Sequence, residues 1–267
     1  MTSLTDYLRS LYHIYFQRIR HYVQEVLANP DESENLHQMR TNTRRIRTLL
    51  SEFADHFEPT FLQKSKEFFK ELIERSNEAR DIDVFLEHFE EYEKSLPKSM
   101  RSDLVPLKEY LLSKRQEEYE RLKDVLKDFT TIDFIEIPQI LKSEIEAKEA
   151  IKRAIANRKR KIKKLRKKKG CDPRLLHRLR IQYKRLRYLY EMLDGLEDVS
   201  KRVKRLKKIQ DLLGHYHDLV VQRENILRFV KERTFAIETI LAAGKLVGDI
   251  EERSEKLCRQ IARKDLV

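Results

Sequence analysis

The chain has 267 residues, with 57 Lys and Arg against 45 Asp and Glu, giving a formal net charge of +12. Only five Gly and six Pro, together with 38% charged residues, argue against a strand-rich fold and for long helices with solvated faces. The positive balance points to an anionic partner. Two cysteines, Cys171 and Cys258, form no CxxC pair, so reduced thiols in a cytoplasmic protein are expected. No apolar run reaches the roughly 18 residues of a membrane span, and the first residues lack the pattern of a signal peptide.

Taken in order, Leu4, Leu8, Leu11, Tyr15, Ile19, Val23 and Val26 recur at steps of three and four, which predicts a helix over 4–27. Asn29-Pro30-Asp31 ends it, and further helices are expected over about 32–56, about 61–94 with a break near 77–81, and about 101–128. Residues 131–138 do not fit helical spacing and read as an extended connector. The pattern then restarts, with helices over about 139–168, 174–194, about 199–230 and about 233–263. Asp172-Pro173 is a start signal, with Asp as the N-cap and Pro in the first helical position. The fold class is therefore all-α.

The second half repeats the first. LHQMRTNTRRIRTLL at 36–50 aligns with LHRLRIQYKRLRYLY at 176–190, and six of the fifteen positions are identical. ARDIDV at 79–84 aligns with YHDLVV at 216–221, setting Asp81 opposite Asp218. Two internally repeated four-helix bundles, 1–130 and 139–267, joined by 131–138 in one bilobal domain, are the expected organisation.

On a helical wheel His37, Arg40, Arg44 and Arg47 fall within an arc of about 80°, beside a core stripe of Leu36, Met39, Thr43, Ile46 and Leu50. His177, Arg180, Lys184 and Arg187 repeat that geometry. Each row is about 15 Å long. Neither 15-residue motif places a carboxylate in its row. Like charges so aligned repel unless an anion lies along them, and Arg donates two hydrogen bonds to one phosphate. These eight residues are the candidate phosphate-binding set. Arg18, His21, Arg158, Lys161, Lys201, Arg205 and Lys208 are secondary candidates for extending the basic wall. Residues 152–169 add twelve positive charges and no acid. That run makes the nucleic-acid backbone the alternative partner.

LHQMRTNTRRIR, LHRLRIQYKRLRY, ARDIDV and LKKIQDLLGHYHDL resemble the CHAD family, the conserved-histidine α-helical domain. The resemblance covers essentially the whole chain. It implies two four-helix halves around a basic channel that binds inorganic polyphosphate, association with polyphosphate granules, and no catalysis. In the first half Asn77 stands opposite Gly214 and Arg80 opposite His217, a departure from the second-half pattern.

Two signals for catalysis are weaker. Glu144-Ile145-Glu146-Ala147-Lys148 matches an ExExK triphosphatase strand, but is expected to open a helix, where its two acids diverge. His215 and His217 are spaced i, i+2, which a helix does not bring to one face. No enzyme activity, metal site or cofactor is expected, and no membrane association.

Overall fold

The computed structural model of the chain describes residues 2–131, 135–168, 170, 172–232 and 234–263. Its helices are α1 (Leu4–Ala28), α2 (Ser33–Glu52), α3 (Pro59–Arg75), α4 (Asn77–Glu87), α5 (Phe89–Ser95), α6 (Val105–Thr130), α7 (Ala147–Arg166), α8 (Pro173–Asp194), α9 (Ser200–Glu232) and α10 (Ile237–Arg263). The all-α class holds, with only isolated bridges in place of strands among the described residues. No helix among them is long and apolar enough to cross a membrane.

Capping chemistry sets several starts. The Ser3 side chain accepts from the Asp6 N–H at the head of α1, and Glu58 accepts from Thr60 and Phe61 ahead of α3. Asp172 caps α8 by accepting from Arg174 N–H, with Pro173 in the first turn, as the sequence predicts. The stripe of α1 is buried as expected, except that Tyr12, not Leu11, fills the fully buried place.

Three boundaries differ. The third helix breaks at Ser76, close to the expected 77–81, and again at His88, a second break that the spacing does not predict, giving α3, α4 and α5. At the first break the Ser76 hydroxyl donates to the Leu72 and Ile73 carbonyls, which ends α3. The fourth helix starts later, at Val105, after two short 3-10 turns. The helix expected from 139 begins only at Ala147, and residues 135–146 form a non-helical strap. Its backbone pairs elsewhere: Leu4 N–H donates to Ile145 O at 2.9 Å, and Leu141 N–H donates to His56 O at 2.9 Å. Glu144 and Glu146 therefore precede the helix rather than opening it. Within the expected connector, residues 132–134 lie outside the described residues. So does Cys171, and with it the expectation of reduced thiols; Cys258 is buried.

Within each sequence half α1 packs on α2, α2 on α3 and α4 on α6, while α7 packs on α8, α8 on α9 and α9 on α10. Between the halves α1 meets α7, α2 meets α8 and α4 meets α9. The larger apolar cluster draws on α1, α2, α3, α7, α8, the end of α6 and the start of α9, with Phe16, Met39, Phe69, Leu126, Ile151 and Leu189 among its members. The smaller cluster joins α4 and α5 to the end of α9 and to α10 through Phe85, Tyr92, Phe229 and Leu246. Both clusters draw on both sequence halves.

One close approach ties α1 to the end of α8. The Tyr7 hydroxyl donates to Met192 O at 2.6 Å, and a Cβ added at Gly195 would lie 2.6 Å from that hydroxyl. Gly195→Ala is expected to lower stability by about 1–3 kcal/mol in urea unfolding, as overpacking does. Combining it with Tyr7→Phe, which removes the clashing oxygen, should lose less than the two single changes summed. Strict additivity would show that the clash does not set the effect.

Candidate functional site

The two motif helices, α2 and α8, pack against each other. Each turns its apolar stripe inward: Leu36, Met39, Thr43, Ile46 and Leu50 on α2, and Leu176, Leu179, Tyr183, Leu186 and Tyr190 on α8, are all buried. The basic rows flank these stripes and so cannot point wholly to solvent. Their central members converge. The Arg44 charge acts on His37, Arg40, Arg180, Lys184 and His217, and so couples both halves. Lys184 in turn acts on His37 and His177.

Burial and mutual repulsion shape every charge there. Lys184 is held well below the usual ammonium range by burial, then by Arg180 and Arg44. Burial also lowers Arg40 and Arg180. His37 is pushed down to about 4 by burial and then by Arg80. His217 is pushed down to about 3 by burial and then by Arg180. His177 is lowered by burial and the same two cations, Arg180 and Lys184, with its ring centroid 5.2 Å from that of His217. These imidazoles are neutral at pH 7, able to donate one N–H each and to charge when an anion arrives.

Two carboxylates share the cleft. Burial pushes Asp81 up to about 6 against the pull of Arg40, and Asp218 adds to that rise. Burial likewise raises Asp218, against Arg180 and Lys184. Neither forms a close ion pair with Arg44, Arg180 or Lys184 among the described residues, and the Arg180 Nε is buried without a hydrogen-bond partner.

The predicted set is only partly brought together. His37, Arg44, Arg180 and Lys184 are partly exposed and His177 is exposed, all in or beside the cleft. Arg40 is 2% exposed and spent on protein groups: its Nη1 donates to Ile73 O at 3.0 Å and to Ser76 Oγ, and its Nη2 to Asn77 Oδ1 at 2.8 Å. Arg47 lies further along, where Arg185, Glu74 and Arg44 act on it after burial. Arg187 lies 3.2 Å from Glu191, which also takes Arg45 at 3.0 Å.

Of the secondary residues, Arg158 is not on the wall at all. It is 4% exposed, held by Glu52 and Gln182, and serves to bolt α7 to α2 and α8. Arg18 and His21 are exposed beside a shallow groove shared with Gln38, Asn42 and Arg45. Lys161, Lys201 and Lys208 are exposed, and Arg205 lines a separate cavity. α9 runs unbroken through His215 and His217, which leaves His215 exposed while His217 turns to the cleft.

Sequence reasoning left Arg80, His217, Asp81 and Asp218 out of the site. The signal was present in the paired ARDIDV and YHDLVV segments. A carboxylate is not what an anion site calls for, so these segments speak in the sequence for repetition and for the family resemblance, not for the site.

Two proteins of Mycobacterium tuberculosis are similar to this chain. The uncharacterized protein MT2285 is 29% identical over 253 residues, and the uncharacterized protein Rv2226 is 28% identical over 250. Each alignment covers 86% of this chain and 47% of the relative, so the chain spans about half their length. Among solved structures, PptA from Streptomyces chartreusis superimposes with a TM-score of 0.75 at 13% identity, covering 98% of this chain and 100% of that one. The CHAD domain from the plant Ricinus communis gives 0.73 at 20% identity, covering 99% and 93%. At those identities the likeness speaks for the fold. The family profile described as CHAD domain matches residues 12–227, and with that match over most of its length the chain is a member of the CHAD domain family.

Proposed function

We propose that the chain binds inorganic polyphosphate along the cleft between α2 and α8, as a targeting or storage-granule module without catalysis. The observation that carries this reading is the meeting of Arg44 and Lys184, one from each repeated motif, in shared and partly dehydrated space, with no carboxylate at ion-pair distance among the described residues. A string of phosphates relieves that repulsion and supplies acceptors to Arg44, Arg180 and the three imidazoles. The association of the CHAD domain family with polyphosphate supports the same ligand.

Nucleic acid is the second reading, favoured by the exposed cations of α7. Base recognition wants aromatic faces presented among the cations. Tyr183, Tyr188 and Tyr190, the aromatics interleaved with the second row, are all buried. That favours a ligand which is phosphate throughout. A competition experiment separates the two: long-chain polyphosphate should displace labelled RNA at far lower phosphate-equivalent concentration than the reverse. Equal competition would favour nucleic acid.

The variant carrying Arg44→Ala, Arg180→Ala and Lys184→Ala is expected to lose at least about tenfold in polyphosphate affinity and to flatten its salt dependence. Its melting temperature without ligand should not fall, because the deleted charges repel one another. Unchanged affinity would place the ligand elsewhere.

Binding is also expected to strengthen as pH falls from about 7.5 to about 5.5. Asp81, with its pKa pushed up to about 6, is ionised at the upper end and opposes a polyanion. At the lower end it is neutral, and a bound polyanion draws in the proton. Asp81→Asn should therefore bind more tightly at the upper pH and show a shallower profile. A profile identical to that of the unaltered chain would remove Asp81 from the account.

A further inference from the structure

A second basic site lies outside the cleft, on the far side of α8. α7, α8 and α9 enclose a solvent-connected cavity of about 650 Å³, within the range of about 300–1,000 Å³ that small-molecule sites occupy. Its floor is apolar, built from Ile162, Leu186, Leu206 and Ile209, with Tyr190 beside them. Its rim is cationic: Lys159, Arg160, Lys163 and Arg202 are exposed at the mouth. No carboxylate lines it among the described residues. The nearby Glu197 is already held by Lys148 at 3.0 Å and Lys152 at 2.6 Å. Lys159 and Arg202 both sit over the Tyr190 ring, at 5.6 and 5.8 Å from its centroid, which fixes two rim charges at the edge of the apolar floor.

This pairing of surfaces differs from the central cleft. An inorganic phosphate chain has nothing to set against an aliphatic floor, and leaving that floor wet gains nothing. A purely apolar molecule would bring no negative charge to the four rim cations. The complementary ligand has a flat apolar body and a clustered negative charge. We propose that the cavity binds a nucleoside polyphosphate, with the base on the aliphatic floor and the phosphates among the rim cations. This does not rest on the polyphosphate reading, because none of its rim or floor residues belongs to the central cluster.

The test uses the intact chain and ATP without added metal. Photolabelling with an azido-adenine analogue of ATP should mark peptides within 159–166, 183–190 or 202–209. ATP should protect against labelling at least about tenfold better than tripolyphosphate, since only ATP covers the floor. The rim variant Arg160→Ala, Lys163→Ala, Arg202→Ala changes only exposed side chains, and should abolish the label while long-chain polyphosphate still binds within about twofold. The cleft variant should show the opposite pattern, keeping the label and losing polyphosphate. Label on α2 or α4, equal protection by tripolyphosphate, or full labelling of the rim variant would each overturn the proposal. So would an oligoadenylate that protects better than ATP and fails on the same rim variant, which would make the cavity one part of an RNA track. Loss of polyphosphate binding in the cleft variant with failure of the label overturns this inference alone, and the reverse overturns the polyphosphate reading alone.

Discussion

Arg44 and Lys184 are held near each other by packing that has nothing to do with their charges. α2 and α8 are brought together by buried Leu, Ile, Met and Tyr side chains, and the basic rows ride along at the edge of that contact. A buried charge is expensive unless it is paired and hydrogen-bonded. Here the compensation is partial: Asp81 and Asp218 contribute opposing charge, yet burial pushes both carboxyls up, and Asp218 adds to the rise of Asp81. The cleft therefore stores unfavourable electrostatics that the apolar clusters outweigh. Burial is the first cause of both the neutral imidazoles and the raised carboxyls; the crowded cations deepen the former and oppose the latter.

The two halves answer the same constraint differently. In the first, Arg40 caps the end of α3 by donating to Ile73 O, and Asn77 accepts from its other amino group. In the second, the positions matching Ser76 and Asn77 are Leu213 and Gly214, which offer no side-chain acceptor. α9 runs straight through where α3 and α4 break. The Nε of Arg40 and of Arg180 is unpartnered alike, but among the described residues Arg180 makes no hydrogen bonds like those of the Arg40 amino groups. One copy of the motif Arg is thus a structural cap, and the other has no such role among the described residues. The Asn77/Gly214 difference, visible as a departure from the repeat, is the chemical origin of that division.

How much of this the sequence discloses depends on range. α1, α2 and α8 are legible because their stripes are periodic and their neighbours are turn-forming Asn-Pro-Asp and Asp-Pro. The approach of the central members of the two rows is legible because the motif occurs twice with one spacing; the diversion of Arg40 and Arg187 to protein partners is not. The strap is legible only as far as 138, where the extended connector is expected to end; over 139–146 Ile, Leu and Glu recur in a way that suits either helix or extended chain. What decides it is pairing with Leu4 and His56, far off in sequence. Arg158 fails for the same reason. It sits in a run of exposed cations, and only its partner Glu52, 106 residues away, marks it as a buried bolt. His217 needed the pitch of α9 around it to separate it from His215.

A site built on repulsion would open if its walls could part. They cannot part cheaply, because neither apolar cluster belongs to one half. Separating α2 from α8 would disturb a core that runs from Phe16 and Met39 through Ile151 to Leu189. Separating α4 from α9 would strip Phe85 and Ile82 away from Leu219 and Ile226. At about 25 cal/mol per Å² of apolar surface, exposing even a few such side chains outweighs the repulsion between partly solvated cations. The cations are accordingly fixed in place before any ligand arrives, and a polyanion entering the cleft need not order them. What association normally loses in immobilising long Arg and Lys side chains has here been met during folding.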